Sequence, residues 1–355
     1  MSTSTPQKTW QKRQKDFFVS IIFGAPGGVV AGPPDYPNRR SGGRPAWPIL
    51  GPSRSGSFRQ ATGGIVKFGL AFASSAGTDP ESALEICRRA EAAGFDSVWG
   101  GEHVIRPARI ASPYPYTADG RMPGDAETPI PDPLIWLAYV AAAAPSVRLG
   151  TCILILPQRN PLVLAKELAT LDHLSGGRVD LWIGVGWLEE EFQALGVPWQ
   201  RRGARTDEYV AAMRALWAGP EAEFHGEFVD FEPATCNPRP VNGDIPILVG
   251  GDTPVAIRRA ARLADGYFPG TSDLETLARL IRELAIAAEA QGRHPDQIAV
   301  HAIFGAQMAD PLAGAEQLAA LGVERAMLPA FFFLGDGGLD RLSEFGERVV
   351  KPLAR

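Results

Sequence analysis

The chain is short of cysteine. Its three, Cys87, Cys152 and Cys236, lie far apart in 355 residues and form no C-x-x-C pair. Neither a disulfide framework nor a thiolate zinc site is therefore expected, and a reducing, cytoplasmic setting is. Lysine is almost missing beyond residue 64, where only Lys67, Lys166 and Lys351 occur. None closes a strand-like run, which excludes Schiff-base chemistry of the aldolase kind. No apolar run reaches 18 residues, so no segment is expected to cross a membrane. Acids outnumber basic residues in the body of the chain. The formal net charge is -5, and residues 1–64 hold nine Lys and Arg against two acids, leaving the remainder clearly acidic. A nucleic-acid partner is not expected.

Residues 1–64 differ from the rest. AGPPDYPNRRSGGRPAWPILGPSRSGSFRQATGG is rich in Pro, Gly, Ser and Arg without apolar periodicity, cannot supply a core, and is expected to be a disordered extension. The preceding KRQKDFFVSIIFGAPGG puts basic residues before an apolar run, as a secretory signal does, but the run is short and lacks a small-x-small cleavage site. A simpler account is a start codon assigned too far upstream. Translation from a GTG codon at Val66 would open the protein with VKFGLAF. One domain is expected over residues 65–355.

In that domain short apolar runs alternate with helical patterns, the signature of parallel βαβ units. Strands are expected at Val66–Phe72, Ser97–Gly100, Val147–Leu156, Val179–Gly184, Ile245–Val249, Gly266–Phe268, Ile298–Phe304 and Arg325–Leu328. Helices are expected at Asp79–Ala93, capped by Thr78, at Pro133–Ala144, at Pro161–Leu174 with Gly176 and Gly177 as its stop, and at Arg205–Ala218. Four more are expected at Pro254–Ala264, Leu274–Gln291, Asp310–Ala320 and Leu339–Val350. Eight strand–helix units make a (β/α)8 TIM barrel. A doubly wound sheet would need a Gly-rich dinucleotide turn after its first strand, and FGLAFASSAG supplies none. Aromatic alternation around His225-Gly226, within residues 221–240, predicts a small inserted hairpin.

A barrel delivers its chemistry at the C-terminal ends of its strands. The second strand, VWGGEHV, ends on Glu102 and His103, and a metal-assisted mechanism finds no further converging ligands. The fifth runs into Gly250-Gly251-Asp252-Thr253 before a helix, where backbone N–H groups can close on a phosphate; a plain tight turn is the competing account. The long loop after His103, PARIASPYPYTADGRMPGD, holds Arg109, Tyr114 and Tyr116 and is long enough for a lid, while its Pro and Gly content equally suits a disordered excursion. His173, His225, His294 and His301 suggest no function.

The segments LATLDHLSGGRVDLWIGVGW, GVGWLEEEFQALGVPWQRRGARTDEYVAAMRALWAG and PILVGGDTPVAIRRAARLADGYFP resemble the bacterial luciferase-like flavin and deazaflavin oxidoreductases. The resemblance is greatest to the coenzyme F420-dependent branch and covers Val66 to about Arg355. It implies a barrel with a tricyclic isoalloxazine or deazaflavin ring at its mouth, and the cofactor phosphate at Gly250, Gly251 and Thr253. Deazaflavin members carry a non-proline cis peptide just after the Gly-Thr of the third strand, backing the ring; the matching pair is Cys152 and Ile153. A regular strand with Cys152 as a small buried hydrophobe is the alternative. The acid–histidine pair would stand beside the reactive face, with Glu102 bonding the ring edge or orienting the loop and His103 exchanging a proton with substrate. Against this, His103 could be satisfied by backbone.

Trp187 stands where deazaflavin dehydrogenases have a catalytic glutamate, and offers a flat wall for ring or substrate unless it is core. Glu190 matches a position near the cofactor, though acids at Glu189, Glu190 and Glu191 are expected of a helix start anyway. The leading expectation is an F420-dependent hydride transfer to or from a small organic substrate. An FMN-dependent monooxygenase is the alternative, and a non-catalytic deazaflavin-binding protein the third. The resemblance also allows a homodimer, for which no segment argues.

Overall fold

The computed structural model describes residues 65–354 except 118 and 123. The extension expected to be disordered over residues 1–64 lies outside them. Five barrel strands come from the first part of the chain: β1 (Lys67–Ala71), β2 (Ser97–Gly100), β3 (Arg148–Thr151), β4 (Leu154–Ile155) and β5 (Val179–Gly184). A hairpin of β6 (Ala222–His225) and β7 (Asp230–Ala234) intervenes. Then come β8 (Ile247–Gly250), β9 (Gly266–Phe268), β10 (Ala299–Ile303) and β11 (Val323–Pro329). All neighbouring barrel strands are parallel, β11 pairs with β1, and β3 pairs with β5, so the sheet closes with β3 and β4 forming one stave. This is the expected (β/α)8 barrel with its inserted hairpin, and the strands lie within two residues of their expected ends except in the third stave. There the Cys152–Ile153 peptide bond is cis and divides the run in two.

The connecting helices are α1 (Ala73–Ala76), α2 (Pro80–Ala92), α3 (Pro133–Val140), α4 (Pro161–Ser175), α5 (Glu189–Ala194), α6 (Arg202–Ala218), α7 (Pro254–Leu263), α8 (Leu274–Glu289), α9 (Pro311–Ala320) and α10 (Gly338–Phe345). Asp79, not Thr78, caps α2. Proline at position 80 suits the first helical residue, which puts the cap one place before it, and the Asp79 carboxylate accepts the N–H groups of Glu81 and Ser82 at 3.1 and 3.0 Å. Helix α3 stops at Val140 rather than Ala144, and Pro145 disfavours helical backbone at Ala144 itself. Helix α10 gives way at Gly346 to a π turn over Gly346–Val350, and a short helix at Lys351–Leu353 follows.

Large side chains fill the barrel. Trp99, Trp182, Leu248, Phe268 and Met327 form a buried inner cluster, separate from the apolar layer between strands and helices. The Trp99 and Trp182 rings lie 4.2 Å apart, and Trp182 is 4.2 Å from Phe268. The Trp99 indole lies along the inner wall across both neighbouring strands: a Cβ on Gly150 would fall 1.9 Å from its Cε3, and one on Gly69 2.8 Å from its Nε1. Below sits a charged layer. Arg325 bonds Asp96 at 2.7 Å and His301 Nε2 at 3.3 Å, while Arg148 bonds Asp180 at 2.5 Å. Burial, then the charge of Arg325, pushes His301 well below its ordinary value, so it is a neutral acceptor there.

Replacing Gly150 with Ala forces a methyl into the Trp99 ring. Equilibrium urea unfolding of the Gly150→Ala chain should show a loss of ~1–3 kcal/mol, the usual range for overpacking; an unchanged midpoint would mean the indole has room elsewhere.

Candidate active site

The strands all end on one face of the barrel, and the side chains there are positioned by the turn or loop that leaves each strand. β2 ends in two glycines. Gly101 packs against the Phe72 ring and the Cys152 carbonyl, where a Cβ would approach to 3.3 and 3.4 Å. The chain then turns outward and separates Glu102 from His103.

Glu102 is buried among donors. Ile155 N–H reaches it at 2.5 Å, Arg159 Nε at 2.8 Å, and Arg159 Nη2 also bonds it. Burial raises this carboxyl above its ordinary value and Arg159 opposes that. Three N–H donors and no acceptor face it, which fits a carboxylate. Its bonds fix β4 just past the cis peptide, so in this arrangement it orients the third stave.

His103 points the other way. Its Nδ1 lies 3.0 Å from Glu191 Oε2, and its side chain is 12% exposed against 1% for Glu191. Oxygen Oε1 of Glu191 accepts Val104 N–H at 2.7 Å and Ile105 N–H at 3.2 Å. Burial alone would raise the Glu191 carboxyl, but the bond and charge of His103, with the Gln158 side chain and the Ile105 N–H, together outweigh it and the group is held below the ordinary glutamate value. Sequence reasoning passed over Glu191 because three acids in a row at a helix start need no special reason. One signal was available: Glu191 shares a helix face with Leu188 and Leu195, and an acid among leucines is out of place there. Arg159 and Phe72 were missed too, since nothing local links them to the mouth.

Beyond His103 the wall is aromatic. Trp187 is half-buried and meets His103 edge to face at 5.9 Å; Tyr114 lies 5.0 Å from Trp187 and 5.4 Å from Tyr116. Tyr116 covers Gly270, where a Cβ would come within 2.6 Å of its ring. The row thus runs from the end of β2 to the segment after β9, with Trp187 supplied from the end of β5 and the two tyrosines by the long loop after His103. Arg109 is exposed on that loop. Glu190 holds its middle: Oε1 accepts Ala111 N–H at 2.6 Å and Ser112 N–H at 3.0 Å. Adjacent acids of α5 therefore grip the loop at two places.

On the third stave Cys152 is 3% exposed, and burial pushes its thiol up, away from the reactive thiolate. The Ile153 side chain crosses the mouth, lying over Gly184, where a Cβ would meet it at 2.3 Å, and near Gly250 at 3.5 Å. At β8 the turn is built on Gly251, whose φ of +116° is a conformation side chains rarely adopt. Gly251 N–H bonds Phe268 O at 3.1 Å and its carbonyl accepts Tyr267 OH at 3.0 Å. Thr253 caps the ten-residue α7, its Oγ1 accepting Ala256 N–H at 3.2 Å. Val255 N–H, in the first turn, has no intrahelical acceptor. With the Gly251 N–H already bonded to Phe268 O, the donors that suit a phosphate here are the Thr253 hydroxyl and the first N–H groups of α7, and Ile153 with the aromatic row suits a flat ring. Among the described residues, no group of three or more His, Cys, Asp and Glu is arranged to hold a metal ion, and no helix is long and apolar enough to cross a membrane.

Bonds from Ala111, Ser112 and its own backbone hold Glu190 below its ordinary value although burial opposes them. A depressed carboxyl contributes its grip above the ordinary value of 4.5 and loses it as pH falls through the lower one. In the Glu190→Ala chain, amide exchange at Ala111 and Ser112 should quicken on the order of tenfold at neutral pH. Val104 and Ile105 should keep their wild-type rates, and the wild type should show the same loosening only in acid.

The family model described as luciferase-like monooxygenase matches residues 62–338. Uncharacterized protein Rv0953c of Mycobacterium tuberculosis is 35% identical over 286 residues, 80% of this chain and 96% of that protein. The F420-dependent glucose-6-phosphate dehydrogenase of Kineococcus radiotolerans is 35% identical over 228 residues, 62% of this chain and 61% of that one. The FMNH(2)-dependent dimethylsulfone monooxygenase of Pseudomonas putida is 33% identical over 147 residues, 40% of each chain. Relatives thus use either a deazaflavin or a flavin, and the chain belongs to the luciferase-like monooxygenase family, an enzyme of the F420- or FMN-dependent oxidoreductase class.

Proposed function

We propose that the enzyme moves a hydride between C5 of coenzyme F420 and a small organic substrate. The observation that carries this reading is the His103–Glu191 pair, bonded at 3.0 Å beside the aromatic row of Trp187, Tyr114 and Tyr116. Bound coenzyme F420 would supply the two-electron carrier. The chain's own residues do the rest. Gly250, Gly251 and Thr253 would take its phosphate, Ile153 and the cis bond at Cys152 would back the ring, and Trp187 with Tyr114 would wall the substrate against it. His103 holds or gives the proton that must move when a hydride does. Glu102 supports this from outside, fixing Ile155 through its backbone N–H, and Glu190 keeps the loop across the mouth through Ala111 and Ser112.

An FMN-dependent monooxygenase is the second reading, favoured by the Pseudomonas putida relative. A cofactor carrier without turnover gives no reason for a buried carboxylate to hold a histidine at the mouth.

Titration of the full chain with coenzyme F420 and with FMN, followed by absorbance and fluorescence, separates the first two readings. Tighter binding of coenzyme F420 is expected, and a preference for FMN would move the assignment to oxygen chemistry. In His103→Ala, cofactor affinity should survive while turnover drops by roughly 10²–10⁴; unchanged turnover would remove His103 from the mechanism.

A further inference from the structure

We infer that Glu191 is a positioning residue for His103, fixing the imidazole with its proton on Nδ1 so that Nε2 meets the mouth as a bare acceptor. The role of His103 in proton exchange rests on the reading above; the tautomer does not.

The argument begins with the carboxylate. Glu191 is 1% exposed and its two oxygens are divided: Oε1 takes the N–H groups of Val104 and Ile105, and Oε2 faces His103 Nδ1 at 3.0 Å. Two backbone donors on one oxygen favour the ionised form, and an ionised oxygen facing Nδ1 requires the hydrogen to be on the nitrogen. Which imidazole nitrogen is protonated is set by the bond the other nitrogen makes. Nε2 has no protein partner among the described residues, and the ring retains some exposure. The edge contact with Trp187 at 5.9 Å restricts the ring's rotation.

The grip extends along the chain. One carboxylate holds three consecutive residues, His103 through its side chain and Val104 and Ile105 through their backbone. A ring flip would therefore lose the Nδ1 bond while the loop stayed put, so the flipped state has nothing to gain. When a proton arrives at Nε2, the ring becomes an imidazolium that still carries its Nδ1 hydrogen, and the added positive charge is matched by Glu191 at its back. When that proton leaves, the same tautomer returns. The ring cycles without reorienting, and neither charge state leaves Nδ1 unpaired.

The test is spectroscopic and needs no substrate. In the full chain labelled with 15N-histidine, two-bond proton–nitrogen spectra at mildly alkaline pH report which nitrogen of each neutral ring is protonated, and the His103 signals are those lost in His103→Ala. Wild-type His103 should carry its proton on Nδ1. In Glu191→Ala the proton should redistribute toward Nε2, while Glu191→Asp should restore part of the Nδ1 population; His225 and His294, both remote on the surface, serve as controls. An Nε2-protonated ring in the wild type overturns the inference without any variant having to fold, as does an unchanged tautomer in a folded Glu191→Ala chain. An Nδ1-protonated ring combined with undiminished turnover in His103→Ala would leave the inference standing and sink the catalytic reading instead.

Discussion

The barrel depends on filling its own interior, and the contact that does so is the pair of indoles, Trp99 and Trp182, 4.2 Å apart. A closed eight-stranded parallel sheet has room for layers of inward side chains and collapses on none of them unless they interdigitate. Here the large rings come from β2, β5 and β9, and glycines at 69 and 150 on the strands beside β2 give way so that one indole can lie flat on the wall. The filled interior is the floor of the mouth. Ile153, Phe72 and Ile303 pack onto that same cluster from above, so the surface a planar ring would rest on is continuous with the core.

Above the floor the organising force changes from packing to the satisfaction of backbone donors. The loops that crown the barrel form neither helix nor sheet for long, and their N–H groups need acceptors. Acids supply them. Glu102 takes Ile155, Glu191 takes Val104 and Ile105, Glu190 takes Ala111 and Ser112, and Asp252 takes Gly270 at 2.6 Å. The acidic balance of the chain beyond residue 64 thus has a local use at the rim. Glu102 gives its other oxygen to the Arg159 guanidinium, and Glu191 gives its other oxygen to the His103 imidazole at the mouth.

Much of the frame was legible in the sequence because a parallel barrel writes each strand as a short apolar run closed by glycine or an acid. Ser97–Gly100, Val179–Gly184 and Gly266–Phe268 are read to the residue. The third stave was legible only through family resemblance, since nothing in the local physics of LGTCILIL separates a divided strand from a continuous one. Of the candidate site, the places of His103, Trp187 and the β8 turn were legible because strand ends deliver them. Glu102 and Glu190 were found as residues but with partners no spacing could give, because Arg159 is 57 positions from Glu102 and Ala111 is 79 from Glu190. Glu191 was hidden by its neighbours: helix-dipole chemistry accounts for any acid at that place, and only the leucines around it hint at burial.

The loop over the mouth is gripped by its main chain. Glu190 and Glu191 touch amide groups of Val104, Ile105, Ala111 and Ser112, and every residue except proline offers the same amide. Such a grip is indifferent to side-chain identity. The face that the loop turns toward a substrate can drift from one descendant to the next while its path over the barrel is kept, so new specificities are open to this scaffold by changing the lining without rebuilding the lid.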